Sequence, residues 1–169
     1  RGFSKFVEQP HLEDGTFDTS RGLLMVPQNK TDGYIQMTSP NILISKGDKL
    51  ETLVSCEFNA INCYVTYRID YLRADGGQIK FWSWKEAFDG RYYRASIDLS
   101  PLAGQAVRFV FMTLASGAAS GDRALWVAPR IIRTTGGETP IPPTVTPVPG
   151  PTQTPSSGGV VAAPYIRQW

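Results

Sequence analysis

A chain of 169 residues, 41% apolar and 11% aromatic, can bury a full core, and one domain is the natural expectation. Its 17 basic and 15 acidic residues leave a net charge of +2, spread along the chain, which argues against nucleic acid or an anionic membrane surface as a partner. No apolar run approaches the roughly 18–20 residues that cross a bilayer, so membrane insertion is not expected.

The chain opens at Arg1 instead of a methionine, which fits a mature, processed or excised segment. Residues 1–7, with Phe3, Phe6 and Val7, suit an edge strand, and residues 11–20 are polar and loop-like. Residues 21–26, 34–38 and 49–56 are short strand candidates. They are separated by turn signals at Asn29, Asp32-Gly33, Ser39-Pro40 and Lys46-Gly47-Asp48. Asn29-Lys30-Thr31 is also a formal N-glycosylation acceptor.

The stretch 55–84 is the organising one. From Cys63 the odd positions Val65, Tyr67, Ile69 and Tyr71 are apolar or aromatic, while Thr66, Arg68 and Asp70 between them are polar, the pattern of a half-buried strand. Asp75-Gly76-Gly77 supplies a turn, and residues 78–84 resume the alternation, with Ile79 and Phe81 opposed to Lys80 and Trp82. Cys56 and Cys63 are the only cysteines, and the residues between them read as a hairpin loop joining neighbouring strands. A disulfide there stabilises by about 2.5 kcal/mol on a loop-entropy argument. The alternative is two buried thiols, against which the composition of the tail speaks.

Phe88-Asp89-Gly90 turns the chain into residues 91–98. The run 99–104 makes a corner in which Ser100 is placed to cap one helical turn. Residues 106–115, 124–127 and 130–134 complete the pattern, the first with Val107, Phe109 and Phe111 on one face. About eight to ten short strands with turns every 8–12 residues, and no helical period, predict an all-β fold, an antiparallel sandwich or barrel. Composition changes at Gly136. Residues 136–159 hold seven prolines and five threonines with Glu138 the only charge, an extended linker of the kind found in extracellular spacers. Residues 160–169 are apolar again. The expected division is a sandwich domain over 1–135, a linker over 136–159 and a terminal docking segment over 160–169.

The runs W-K-E-A-F-D-G (84–90), I-D-L-S-P-L-A-G-Q-A-V-R-F-V-F (97–111) and A-L-W-V-A-P-R-I (124–131) resemble a module of secreted bacterial multidomain proteins. That module has a galactose-binding-like, jelly-roll sandwich, also used by carbohydrate-binding modules. P-Y-I-R-Q-W (164–169) resembles the opening of a papain-like peptidase domain, whose catalytic cysteine and histidine this chain does not carry. The resemblance implies a jelly-roll fold and a secreted, extracellular or cell-surface setting.

Nucleophilic catalysis needs a histidine base, and His11, in a polar loop, is the only one, so no enzyme is expected. Glu86 and Asp89 can be read as a glycosidase carboxylate pair, or as a solvated acid beside an Asp-Gly turn, which is the reading favoured here. A zinc set is lacking. Structural calcium, with Asp14, Asp18 and Asp122 as loop donors, is the one metal entertained. Two functional readings remain. For glycan recognition, Trp82, Trp84, Tyr92 and Tyr93 supply rings that stack on sugar C–H faces, while Arg68, Asp70 and Arg94 bond hydroxyls. Trp126 reads as core. For self-association, Val160, Val161, Tyr165, Ile166 and Trp169 anchor a tail whose linker reaches some 70 Å in polyproline form, so that it docks on an open sheet edge of a neighbour. The expectation placed first is a non-catalytic, self-assembling subunit, a homo-oligomer or filament. The alternative is a carbohydrate-binding accessory module with a polysaccharide partner.

Overall fold

In the computed structural model the described residues are 1–133 and the pair Val161–Ala162. The strands are β1 (Phe3–Val7), β2 (Gly22–Val26), β3 (Tyr34–Thr38), β4 (Ile42–Leu43), β5 (Lys49–Cys56), β6 (Tyr64–Leu72), β7 (Gln78–Ala87), β8 (Tyr93–Asp98), β9 (Ala106–Ala115), β10 (Ala124–Arg133) and β11 (Val161–Ala162). They form two antiparallel sheets. One runs β1-β2-β10-β5-β8 with β11 on β10, the other β3-β9-β6-β7 with β4 on β9. Among the eight long strands from β2 onward only β6 and β7 are consecutive and in one sheet, while every other step crosses between sheets. That order is the jelly roll the resemblance implies.

Alternation dictates the core. Val65, Tyr67 and Ile69 of β6 and Val107, Phe109 and Phe111 of β9 are buried and face Leu50, Val54 and Trp126 of the opposite sheet. Trp126 is fully buried, as the sequence implied. Tyr67, Phe111 and Trp82 meet it edge-on at centroid distances of 4.9, 5.2 and 6.4 Å. Its indole N–H donates to Thr113 Oγ1 at 3.2 Å, and the Tyr67 hydroxyl donates to the Ser55 carbonyl at 2.7 Å. Both polar handles are thus satisfied inside an apolar layer.

Several expectations are corrected by the topology. The disulfide Cys56–Cys63 forms, with Cα atoms 6.2 Å apart, but it does not close a hairpin. Cys56 ends β5 in one sheet and Cys63 precedes β6 in the other, so the bond braces a crossover between the layers. The runs 124–127 and 130–134 are one strand, β10, bent by a bulge where Ala128 takes a φ of 46° and Pro129 has no N–H to give the ladder. The 3-10 turn Ser100–Leu102 has no side-chain cap. The Ser100 hydroxyl and N–H both donate to Asp98 instead. Asp70, expected on a polar face, is buried because Arg68 grips it with two 2.7 Å bonds and Gln78 with a third. Glu86 is no solvated turn residue. β7 runs on through it, and it is 2% exposed.

Candidate functional site

β7 and β8 are the end strands of their sheets, and both lie on the same side of the sandwich. A bulge in the β6–β7 ladder, between Ile69↔Trp82 and Asp70↔Lys80, leaves Phe81 unpaired and resets the phase. From there Trp82, Trp84 and Glu86 stand opposite the inward-facing Ile69, Tyr67 and Val65 and point between the sheets. Tyr93 opens β8 opposite Val54 and points the same way. Between β5, β7 and β8 these residues enclose a cavity of about 250 Å³, lined by Val54, Trp82, Trp84, Tyr93 and residues 94–96. Trp82 sits at the inner end against Trp126, while Trp84 is 40% exposed and leans on Tyr93, their rings 5.2 Å apart at 46°.

Behind the two rings lie three carboxylates. Trp84 Nε1–H donates to Glu86 Oε2 at 2.7 Å, and the Tyr93 hydroxyl donates to Asp89 Oδ2 at 2.6 Å. Glu13, from the β1–β2 loop, accepts from the N–H groups of Cys56 at 2.8 Å, Asp89 at 2.9 Å and Gly90 at 3.1 Å. Oxygens of Glu13, Glu86 and Asp89 lie within 4.8 Å of one another. Burial pushes the Glu86 carboxyl up to about 7; the Trp84 hydrogen bond opposes this, and the charges of Glu13 and Asp89 reinforce it. Burial also raises Glu13, against the pull of its three backbone donors. The hydrogen bond to Asp89 raises the Tyr93 phenol, and burial raises that of Tyr67.

Five of the six carboxylate oxygens accept from protein donors, Glu13 from three N–H groups, Glu86 Oε2 from an indole, and Asp89 from a phenol and from the Arg91 N–H at 3.0 Å. That is a hydrogen-bonded cluster built from donors, unlike the open oxygen cage calcium needs. Asp14, Asp18 and Asp122, the calcium donors expected from the sequence, are not brought together. Asp14 bonds Thr16, Asp18 bonds Ser20 and Asp122 bonds the N–H of Tyr64. His11 is stacked between Phe17 and Phe58 at 4.0 Å from each, and its Nε2 lies 3.1 Å from the Gly15 carbonyl oxygen.

Of the expected glycan-binding residues, Trp82 and Trp84 point into this cavity, while Arg94 borders it from β8 at a position opposite Leu53, which directs its side chain to the outer face. Tyr92 is exposed in the β7–β8 connection beside it. Arg68 and Asp70 bind each other on the outer face of the β3-β9-β6-β7 sheet. Arg94 also lines a second cavity of about 210 Å³ on the outer side of the other sheet, with Glu51 and Arg130. A larger hollow of about 590 Å³ lies beside β3 with Arg1, Lys30 and Gln36, but Tyr34 is its one ring, so it offers no aromatic pair. Sequence reasoning missed Glu13 and the burial of Glu86. The spacing Trp82-x-Trp84-x-Glu86 was a usable signal for the latter, since period two places all three on one face. Of the terminal segment, Val161 and Ala162 form β11 on the same chain's β10, opposite Arg133 and Ile132. Val160, Tyr165, Ile166 and Trp169 lie outside the described residues.

TmCBM61, solved in complex with β-1,4-galactotriose, superposes with a TM-score of 0.53 over 79% of this chain and 88% of that one, at 9% sequence identity. The two chains share a β-sandwich fold. A structure reported for promiscuous carbohydrate-binding modules of the β-sandwich superfamily aligns with a TM-score of 0.48 at 8% identity, over 78% of this chain and 54% of that one. A family 16 carbohydrate-binding module aligns with a TM-score of 0.42 at 10% identity, over 72% and 83%. No family model matches the chain, and no curated protein matches its sequence.

Proposed function

We propose that the chain is a non-catalytic, extracellular glycan-binding module whose platform is the Trp84–Tyr93 pair at the β7–β8 edge. The observation that carries this reading is the exposure of Trp84. A tryptophan that could have been buried like Trp126 is instead held 40% open, over a cavity whose other lining residues include Arg94 and Ser96. Its flat apolar face suits the C–H surface of a pyranose. The neighbours in fold support the alternative reading of the sequence over a self-assembling subunit. The disulfide fits an oxidising, extracellular compartment, and no helix among the described residues is long and apolar enough to cross a membrane. Glu86 and Asp89 are held by the two platform rings, which supports a binding role for them over a hydrolytic one.

The test is retention in polysaccharide affinity gels, with β-1,4-galactan as the first probe because TmCBM61 was solved with its trisaccharide. Wild-type retention lost in Trp84→Ala supports the reading, and retention unchanged in a Trp82→Ala/Trp84→Ala double variant defeats it. The self-assembly reading keeps one supporting observation. Within one chain β11 pairs with the end of β10 that β2 leaves free, and the same end on a second copy would present the same groups. Sedimentation of the full chain and of a chain ending at residue 135 separates the two ideas, since only assembly requires the tail.

A further inference from the structure

We infer that Glu86 is the positioning residue of the platform, its charge deciding where the Trp84 ring sits and so making the platform sensitive to pH. The inference rests on the reading of Trp84 as the sugar-stacking ring. An indole N–H can only donate, and the acceptor it finds is Glu86 Oε2 at 2.7 Å, from a side chain two residues along the same face of β7. That tether is a polar bond on an exposed ring that also makes a tilted stack on Tyr93.

The surroundings of Glu86 set up two states. Glu13 faces it from the β1–β2 loop and Asp89 from the β7–β8 connection, both carboxylates within 4.8 Å. The charge of Glu86 bears on the Tyr67 phenol of β6 and on the Tyr93 phenol of β8, and Arg91, a cation of the β7–β8 connection, also bears on Tyr93. When Glu86 carries its proton, the cluster holds two charges and the carboxyl rests among its neighbours. When it ionises, three like charges share one partly dry site, and repulsion from Glu13 and Asp89 drives Glu86 toward the mouth of the cleft. The indole is bonded to the moving oxygen and follows it, leaving the Tyr93 face. Tyr93 has a separate tether, its hydroxyl on Asp89, so the two rings are held by different carboxylates and part when only one of them changes charge.

The experiment follows the indole N–H resonances of the full chain by proton–nitrogen NMR from about pH 5 to pH 9, with the Trp84 signal assigned through Trp84→Phe and no sugar present. The expected result is a single titration of that signal with its midpoint near the value of about 7 that burial gives Glu86. Glu86→Gln removes the titration, and Asp89→Asn, which deletes a like charge but keeps an acceptor for Tyr93, moves the midpoint to lower pH. A Trp84 signal that does not titrate, or that titrates alike in Glu86→Gln, overturns the inference. So does a titration that vanishes with added calcium and returns with chelator, because the carboxylates then belong to a cation. Retention on galactan is expected to weaken several-fold as pH rises through the same midpoint. A titrating indole in a chain that no polysaccharide retains overturns the glycan reading and leaves the positioning of Trp84 by Glu86 intact.

Discussion

Replacing Glu86 by glutamine removes one ionisable proton from the interior while keeping an acceptor for the Trp84 indole, and the consequence for stability has a definite sign. In the folded chain burial raises this carboxyl from its ordinary 4.5 to about 7. A raised folded value means that Glu86 contributes its full stability below about pH 4.5, loses it progressively as pH rises toward about 7, and loses nothing more beyond. The interval amounts to roughly 3 kcal/mol at about 1.4 kcal/mol for each pH unit. Other groups titrate over the same range, so the informative quantity is the difference between wild type and variant. Urea unfolding of each at about pH 4.5 and about pH 8 gives it. With slopes of about 1–3 kcal/mol per molar urea, the wild-type midpoint should fall by about 1–3 M more than that of Glu86→Gln. Equal pH dependence in the two proteins, or a wild type that gains stability relative to the variant as pH rises, would refute the claim that a protonated Glu86 is built into the fold.

Further outcomes follow from other parts of the sandwich. Reducing the Cys56–Cys63 bond should cost about 2.5 kcal/mol, read as a lower urea midpoint with reductant than without, while unfolding stays cooperative. Trp126→Ala should destabilise by about 3–5 kcal/mol in calorimetry because it empties the centre of the core, whereas Trp84→Ala, at a half-exposed ring, should cost far less and act on retention instead. Asp70→Ala strips the Arg68 guanidinium and the Gln78 amide of a shared buried acceptor and should cost about 2–3 kcal/mol without changing polysaccharide retention. A folded Asp70→Ala chain that no longer binds would move the glycan surface to the outer face of that sheet.

Much of the architecture was legible in the sequence, because a strand with one buried face writes its period into its own residues. β6 shows this most clearly. Val65, Tyr67 and Ile69 were expected inside and are buried. The turn at Gly76, where φ is 83°, sits where Asp-Gly-Gly placed it, and Trp126 is core. The site was half legible. Trp82 and Trp84 were named and meet at one cavity, while Arg94 borders it with its side chain on the outer face and Arg68 and Asp70 went to another face to satisfy each other. A bulge caused part of the difference, since the skipped Phe81 reverses which side Trp82 faces, and alternation counted along the chain cannot see it.

By itself the sequence determined an all-β chain, its strands in order, the cysteine pair and a composition break at Gly136, since propensity, period two and turn chemistry act within a few residues. Only the tertiary structure decided that β7 and β8 became edges on one side of the sandwich, that the disulfide joins the two sheets, and that Glu13 reaches Asp89 across 76 positions to close a carboxylate cluster behind Trp84. Those are consequences of packing one sheet on another. Burial and like charge bear on a carboxyl only when distant segments meet, and the upward shift of Glu86 is their product.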